Sequence, residues 1–391
     1  MRCKWRHCKL YEVADIVDSL HKTPQYTERG IPMLRVTDIK EGYLFLRSPA
    51  KVSTETYDEF TKKHQPKQGD IVISRVGTYG VFAYVATKDK FCLGQNTAII
   101  IPHINKKFLY YSLISAGTKE YLNRIVTGST QKTISLKNIK AIPLSVPNDT
   151  IQERIADTLS ALDDKIELNN KINENLERQA RALLTQWLIE NDGAYEVSLL
   201  SDVAIINPDT YSPKDAWEYV NYLDTSSITD GIISEVQHIK PSTEKLPSRA
   251  RRILAANDVV FSTVRPNQRH FGIINDPLDH MLASTGFAVI RSKRPCVSNE
   301  LLYLRLTEDS FIEKMQQLAE QSTSTFPSIK AADLGSCEIP YPISQDLTEI
   351  LKAVFTCIAN NQKENRALAK FRDSLLPKLM SGEIDVSNID L

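Results

Sequence analysis

Polar side chains that can hydrogen-bond to nucleic-acid bases are concentrated in a few short loops of this sequence. Arginine presents two donors that suit guanine, asparagine and glutamine suit adenine, and serine and threonine are more permissive. Loops can carry such groups when a rigid scaffold holds them in place. In the first half of the chain the candidates are Arg75, Thr78, Tyr79, Gln95, Asn96, Ser129, Thr130, Gln131 and Lys132.

The second half offers an equivalent set. Its candidates for base contact are Arg265, Asn267, Gln268, Arg269, Ser322, Thr323, Ser324 and Thr325. Three further basic residues have the character of phosphate clamps, namely Arg249, Arg251 and Arg252.

Each candidate has a purely structural alternative of comparable weight. Arg75 could form a salt bridge with a residue of a neighbouring strand, and Gln95-Asn96 could serve only as a turn. The loop from Thr127 to Lys132 could be a flexible linker, and the cluster of arginines a solvated face.

The motifs of common catalytic sites are missing. The sequence holds no GxxxxGK[ST] phosphate loop, no GxGxxG after a strand, no HExxH, and no Asn-Pro-Pro-aromatic motif. Cys3, His7 and Cys8 lie close together, but no second ligand pair follows at metal spacing. We therefore assign no catalytic residue and no metal site, and the absence favours a recognition role over an enzyme.

Charge separates the two halves, although the net charge of the chain is zero. Residues 1–150 contain 23 Lys and Arg against 13 Asp and Glu, whereas residues 191–344 contain 14 against 20. A basic first half suits a polyanionic partner, because phosphate contacts supply most sequence-independent DNA affinity. With no signal-like segment and no apolar run of membrane-spanning length, we expect a soluble, cytoplasmic protein without membrane association.

The elements that must position these loops occur twice. Runs rich in β-branched residues predict strands at 35–39, 70–75, 96–101 and 142–146, and helical spacing extends from Phe108 to about Arg124. The order returns in residues 195–342, where 257–262 matches 69–74 at an offset of 188. A chain of 391 residues with this repeat predicts two similar α/β domains.

A long helix follows each half. From Thr150 to about Glu190, apolar residues alternate at steps of four and three, the heptad of a helix that packs along one seam. Thr150 and Glu153 form a potential capping box at its start. Adding 192 to each seam position reproduces the pattern near the C-terminus, with Arg372 in the place of Ala180 as the exception and Pro377 expected to kink or end the second helix. The predicted seam residues are Ile155, Leu159, Leu162, Ile166, Asn169, Asn173, Leu176, Leu183, Leu347, Leu351, Val354, Ile358, Asn361, Asn365, Leu368 and Leu375.

The second helix is the natural partner of the first within one chain. The seam alone does not settle the direction of pairing. An antiparallel pair would match Asn173 with Asn361 and Asn169 with Asn365. These asparagines could be buried and fix the register, or they could be partly exposed within a larger bundle.

The predicted fold class is therefore α+β, with two tandem globular α/β domains and two long helices that pair as an intramolecular antiparallel coiled coil. The predicted boundaries are residues 1–149 for the first domain, 150–192 for the central helix, 193–344 for the second domain, and 345–391 for the C-terminal helix and tail.

This architecture resembles the specificity subunit of type I restriction–modification enzymes. The resemblance rests on the helix entry IPLSVPNDTIQERIADTLSALDDKIELNNKINENL and on the distal counterpart ending in SLLPKLMSGEI. The distal helix departs from the usual pattern at its start, where Asp346-Leu347-Thr348 stands in the place of Ile151-Gln152-Glu153.

The resemblance implies two target recognition domains that read a bipartite double-stranded DNA site, with the coiled coil as a ruler. It also implies docking of two methyltransferase subunits, through which motor–nuclease subunits join. S-adenosylmethionine, ATP and Mg²⁺ would belong to those partners, and no cofactor to this chain. Two alternatives remain open: a protein-interaction scaffold with two repeated modules, and the specificity subunit of a fused methyltransferase–nuclease system.

Overall fold

The computed structural model describes residues 5–44, 46, 49–126, 132–191, 195–322, 326–342 and 345–386. The chain divides into two compact units. The first unit comprises residues 1–168 and 365–391, and the second comprises residues 169–364. Each unit therefore contains a part of both long helices.

The first unit combines eleven described strands with four short helices. Its strands are β1 (Arg6–Lys9), β2 (Ala14–Asp18), β3 (Tyr26–Thr27), β4 (Ile31–Leu34), β5 (Gly42–Tyr43), β6 (Ala50–Val52), β7 (Ile71–Ser74), β8 (Phe82–Tyr84), β9 (Cys92–Leu93), β10 (Thr97–Pro102) and β11 (Pro143–Val146). Its helices are α1 (Thr54–Phe60), α2 (Lys106–Ile114), α3 (Ala116–Ile125) and α4 (Leu136–Lys140).

Three sheets organise this unit. A five-stranded sheet has the order β2-β10-β7-β8-β5, a four-stranded sheet the order β3-β6-β4-β9, and β1 pairs with β11. The strands β7 and β10 are buried along most of their length, which explains their continuous runs of Ile, Val and Ala.

Two local predictions in this unit were wrong. Residues 36–38 form a 3-10 helix rather than a strand, because the Asp38 carboxylate accepts hydrogen bonds from the backbone and side chain of Arg35 and closes a turn. The single helix expected from Phe108 to Arg124 is two helices, α2 and α3, which are broken at Ser115.

The second unit repeats the plan. Its strands are β12 (Tyr195–Leu199), β13 (Ala204–Ile206), β14 (Val220–Leu223), β15 (Ile228–Thr229), β16 (Ile232–Ile233), β17 (Gln237–Ile239), β18 (Ala250–Ile253), β19 (Asp258–Ser262), β20 (Phe271–Ile274), β21 (Met281–Ser284), β22 (Phe287–Ser292) and β23 (Glu338–Pro342). The short helices are α6 (Leu200–Val203), α7 (Asn299–Leu306), α8 (Asp309–Glu320) and α9 (Ala331–Gly335).

The sheets show the duplication more plainly than the sequence does. The order β13-β22-β19-β20 matches β2-β10-β7-β8, and β12-β23 matches β1-β11. The other four-stranded sheet, β17-β14-β21-β18, contains a parallel pair, β14 with β21, as the first unit does in β4 with β9. The predicted repeat of two mixed α/β modules is confirmed.

The two long helices are α5 (Asp149–Glu190) and α10 (Asp346–Met380). The capping prediction for α5 was wrong by two residues: the side chain of Asn148, rather than Thr150, accepts the hydrogen bond from the Ile151 backbone N–H. Pro377 lies inside α10, which continues to Met380, so the proline does not end the helix.

Within each unit the helices pair antiparallel. In the first unit, Asp163 meets Arg372 while Arg154 reaches the carbonyl of Val386. In the second unit, Asn173 meets Asn361 while Asn169 meets Glu364. In both units, residue numbers that increase along α5 meet residue numbers that decrease along the C-terminal segment. The predicted antiparallel arrangement of the two helices is therefore confirmed.

The predicted seam residues are all buried or half-buried in the structure. Ile155 and Leu159 of α5 join the core of the first unit with Phe108 and Leu109 of α2. In the second unit, Leu347 and Leu351 of α10 pack in the core with the helix α7. The long helices thus form part of each unit's core.

Candidate nucleic-acid interface

The loops that follow β7 and precede β10 lie together at one end of the five-stranded sheet. Ser74 pairs with Thr97 at the last position of the ladder, and the Arg75 backbone N–H donates to the Asn96 carbonyl over 2.8 Å. The structure therefore places five of the predicted residues at this end of the sheet, namely Arg75, Thr78, Tyr79, Gln95 and Asn96.

Arg75 is engaged inside the unit. Its guanidinium forms an ion pair with Asp18 of β2, a strand of the same sheet that β10 separates from β7, and its Nε donates to the Ile134 carbonyl over 3.2 Å. The side chain is 11% exposed. This is the salt bridge that the sequence left open as an alternative, and the guanidinium supports the base of the loop.

Tyr79 and Lys132 approach each other beside this loop. The Lys132 ammonium lies 5.5 Å from the centre of the Tyr79 ring, a cation–π contact. The Tyr79 hydroxyl donates to Asn123 Oδ1 over 3.1 Å. Thr78 and Lys132 are exposed. The other residues predicted in this loop, Ser129, Thr130 and Gln131, lie outside the described residues.

The amides of Gln95 and Asn96 are half-buried beside them. Gln95 Nε2 lies 3.4 Å from Thr23 Oγ1, a weak contact. Asn96 adopts a left-handed backbone with φ of 64°, which asparagine tolerates better than most residues. Asn96 therefore makes the turn into β10, and this role is compatible with a free side-chain amide.

The second unit holds its candidate loops at the matching end of the matching sheet. Ser262 pairs with Phe287, and the Thr263 N–H donates to the Gly286 carbonyl. Next to them, the Thr285 N–H donates to the Arg249 carbonyl and the Arg265 N–H to the Pro327 carbonyl. Arg249 and Arg265, which are 16 positions apart in sequence, therefore both lie near the Thr285-Gly286 turn.

The remaining candidates of this unit have different surroundings. Asn267 and Gln268 are exposed on a single 3-10 turn, whereas Ser322 Oγ lies 3.5 Å from Ser328 Oγ. Arg269 is bound by two carboxylates, Asp230 and Asp309. The other predicted residues here, Thr323, Ser324 and Thr325, lie outside the described part of the chain.

The proposed phosphate clamps lie on and beside the edge strand β18. Arg249 is exposed, and Arg251 donates through Nε to the Ser248 carbonyl over 3.1 Å. Burial lowers the pKa of Arg252. Its Nε is buried without a hydrogen-bond partner among the described residues. Arg249 is the clamp candidate most open to a partner.

A charged network stabilises the helix pair of the first unit. Arg372 Nη1 lies 2.6 Å from Asp163 Oδ1, and the Tyr111 hydroxyl donates to Asp163 Oδ2 over 2.6 Å. Burial alone would lower the pKa of Arg372, but Asp163 and Asp373 outweigh it and raise the pKa. The one residue that broke the predicted seam pattern is therefore one partner of a buried ion pair.

The second unit has a related arrangement. The Tyr303 hydroxyl donates to Glu177 Oε1 over 3.1 Å, and Arg181 binds the same carboxylate at 2.7 Å. Burial, followed by the charge of Glu177, raises the pKa of Tyr303. Tyr111 and Tyr303 are separated by the same offset of 192 as the seam, so the repeat could have identified both tyrosines from sequence.

A polar cavity of about 410 Å³ lies beside Tyr303 in the second unit. The arginines that line it, Arg181 and Arg269, both form ion pairs with carboxylates that also line it. Among the described residues, no group of His, Cys, Asp and Glu is placed to hold a metal ion. No described helix has the length and hydropathy needed to span a membrane.

Comparison with known proteins assigns the chain to a family. The sequence profile of the Type I restriction modification DNA specificity domain matches residues 3–178 and again residues 193–370. The Type I restriction enzyme HindI specificity subunit of Haemophilus influenzae is 25% identical, covering 81% of this chain and 87% of the relative. The MjaIX specificity subunit of Methanocaldococcus jannaschii is 25% identical over 94% of this chain and 90% of its own length.

Solved structures include similar chains. The type I restriction–modification S subunit from M. genitalium aligns over 97% of this chain and 96% of its own, with a TM-score of 0.49 and 17% identity. The HsdS subunit from Thermoanaerobacter tengcongensis aligns over 97% of each chain, with a TM-score of 0.37 and 15% identity.

The family profile matches twice, once on each copy of the repeat, and together the two matches span most of the chain. The expected resemblance is thereby confirmed. The chain belongs to the type I restriction–modification DNA specificity family and is a non-catalytic specificity subunit with two DNA specificity domains, which acts with the other subunits of its restriction–modification system.

Proposed function

We propose that each unit of this subunit reads one half of a bipartite DNA site in the cytoplasm. The observation that carries the proposal is the placement of the candidate loops. In each unit they lie at the same end of the repeated sheet, beside Ser74 and Thr97 in the first and beside Ser262 and Phe287 in the second. Duplicated readers are the expected solution for a target with two half-sites.

In this proposal the paired helices set the gap between the half-sites. At 1.5 Å per residue, the 42 residues of α5 correspond to about 63 Å and the 35 residues of α10 to about 52 Å. A single turn of B-DNA spans about 34–36 Å. The length of each helix therefore exceeds one turn of B-DNA.

The chemistry of methylation, ATP hydrolysis and cleavage would lie in partner subunits. Two methyltransferase subunits would dock on the helix pair, one for each half-site, and the motor–nuclease subunits would join through them. S-adenosylmethionine, ATP and Mg²⁺ would be held by these partners. This division agrees with the absence of a catalytic constellation in the sequence.

The test is the methylation pattern of DNA in cells that express this chain with its methyltransferase. We expect methylated adenine within a two-part sequence that has a fixed gap. A chain that directs methylation to one continuous motif, or to no motif, would contradict the proposal.

A loop exchange tests the assignment of half-sites. Replacing residues 75–80 with the corresponding loop of another specificity subunit should change the first half-site and leave the second intact. An exchange of residues 263–270 serves as the matched control and should do the reverse. A change in both half-sites from either exchange would show that the units do not read independently.

Matched insertions test the ruler. Seven residues added to both α5 and α10, one full heptad in each, should preserve the seam and widen the gap between half-sites. The same insertion in α5 alone is the control, because it shifts one helix against the other and should abolish methylation. An unchanged gap after the matched insertion would argue against the ruler.

A further inference from the structure

Arg265 is held in place by the residues around it. Its backbone N–H donates to the Pro327 carbonyl over 2.9 Å, and its guanidinium carbon lies 4.6 Å from the centre of the Phe326 ring. The neighbouring Val264 forms a β-bridge with Ser328. Stacking on an aromatic ring orients the planar guanidinium and reduces the entropy lost when it binds a ligand.

The backbone of Arg265 is in the left-handed region, with φ of 47°. This conformation is uncommon for residues with a Cβ and persists only where the surrounding contacts enforce it. The hydrogen bond to Pro327 and the bridge at Val264 enforce it here. Such a strained backbone is typical of positions where a side chain must be held in one place for function.

Arg269, which belongs to the same loop as Arg265, is occupied by carboxylates. It forms ion pairs with Asp230 and Asp309. Arg265 forms no ion pair within the described ranges, and its guanidinium donates no hydrogen bond to a described residue. Its five N–H donors are therefore available to an external acceptor.

The described residues of the first unit include no equivalent arginine at the matching loops. At the matching edge, Arg75 is bound by Asp18 and by the Ile134 carbonyl, and its side chain is almost inaccessible. Among the described residues at that edge, those exposed or half-buried include Thr78, Gln95, Asn96 and Lys132. Among the described residues of these loops, an arginine without a carboxylate partner is therefore found in the second unit and not in the first.

Guanine is the base whose hydrogen-bond acceptors best match the parallel N–H donors of an arginine held in a fixed orientation. It presents two acceptors, O6 and N7, side by side in the major groove, whereas adenine presents one donor and one acceptor there, cytosine a donor and thymine a single acceptor. A phosphate also accepts from arginine, but exposed and unbraced side chains such as Arg249 meet that need without a fixed orientation.

We propose that Arg265, braced by Phe326, is a specificity-determining residue that reads a guanine in the half-site of the second unit. The inference rests on the proposed function of that unit as a DNA reader. Arg249, at the same edge, contacts the backbone and contributes affinity without sequence preference.

The test compares Arg265→Lys, Arg265→Ala and Arg249→Ala in the complete complex with its methyltransferase subunits. Methylated DNA is sequenced from cells, and binding to duplexes that vary each position of the second half-site is measured at several salt concentrations. The loop exchanges described above identify which half-site belongs to the second unit.

Both Arg265 variants should lose discrimination at one G·C position of that half-site by about 10- to 100-fold and leave the first half-site unchanged. Lysine keeps the charge and loses the fork, so Arg265→Lys separates readout from charge. Arg249→Ala should weaken binding to all sequences alike and reduce the salt dependence by about one counterion. Phe326→Leu should reproduce part of the Arg265 effect.

Two outcomes would overturn the inference while leaving the proposed function intact. One is a bipartite motif whose guanines are all read as stringently by Arg265→Lys as by the parent chain. The other is an even loss of binding to every sequence, which would mark Arg265 as a phosphate contact. Absence of any bipartite motif in the parent complex would instead defeat the proposed function. Thermal melting of each variant shows whether the second unit is folded.

Discussion

The guanidinium of Arg372 and the carboxylate of Asp163 form a buried ion pair between the two long helices, with 2.6 Å between Nη1 and Oδ1. Their side chains are 16% and 7% exposed, and Tyr111 completes the hydrogen bonding of the carboxylate. A charge pair at one level of the seam penalises other registers of the helices, because sliding by a turn would bury each charge without its partner.

Removal of one member of this pair should destabilise the first unit strongly. Asp163→Asn leaves Arg372 without its buried counter-charge, and we expect a loss of about 3 kcal/mol in the free energy of unfolding. The midpoint of urea denaturation measures it. Asp373→Asn is the matched control, since Asp373 binds the same arginine from an exposed position and should cost less than about 1 kcal/mol. Equal losses in the two variants would contradict the role of burial.

The asparagine pair should contribute register rather than stability. Asn361 Nδ2 donates to Asn173 Oδ1 over 2.8 Å, the pair anticipated from the seam. Replacing both with leucine should raise the unfolding midpoint but admit other pairings, including between chains. Light scattering after size exclusion would show oligomers in Asn173→Leu/Asn361→Leu. Asn173→Ala alone is the control, which should lose stability and stay monomeric if the parent is monomeric. A double variant that keeps the parent's oligomeric state would show that the asparagines are dispensable for register.

Arg75 should matter more for folding than for readout. Since its guanidinium binds Asp18 and the Ile134 carbonyl, Arg75→Ala should lower the melting temperature and leave the identity of the methylated bases unchanged. Asp18→Asn should have a similar effect on melting, which makes it the matched variant. If Arg75→Ala instead relaxed one position of the first half-site without affecting melting, the arginine would be a base reader.

Burial of Cys92 predicts that the folded protein loses stability at alkaline pH. Burial raises the pKa of this thiol to about 12, from an ordinary value of 9.0. Below pH 9 the thiol is neutral in both the folded and the unfolded chain. Between pH 9 and pH 12 the unfolded thiol ionises first, so stability should fall by up to about 1.4 kcal/mol per pH unit from this group.

Comparison of the parent with Cys92→Ala separates the loss of stability caused by Cys92 from the loss caused by the titration of tyrosines and lysines. The variant should show a shallower decline in stability above pH 9. Alkylation at pH 8 provides a second readout: Cys357 is exposed and should react, whereas Cys92 should react only on unfolding. Rapid labelling of Cys92 in the folded chain would contradict its burial.

The long helices could be predicted from sequence because their signal is local. Heptad spacing can be read from nearby residues, and its return at an offset of 192 predicted, for an antiparallel pair, the match of Asn173 with Asn361. The partner of Arg372 could not be predicted in this way. Asp163 is 209 positions away, and no periodicity records which charge meets which.

The candidate interface was also predictable only in part. The repeat predicted that the loops after β7 and β19 would occupy equivalent places, because a duplicated fold places equivalent residues alike. Which arginines are available was not predictable. Arg269 and Arg265 belong to one loop, yet Asp230 and Asp309 bind the first from distant parts of the chain and leave the second to Phe326.

The division of the chain into units has a consequence for synthesis. The second unit is one continuous stretch, residues 169–364, whereas the first needs residues 365–391 to complete its helix pair. On the ribosome, the first unit must wait for residues 365–391 to emerge before Asp163 can meet Arg372. The order of translation is therefore the reverse of the order in which the two units can close, and a message truncated after residue 364 would yield a complete second unit and an incomplete first unit.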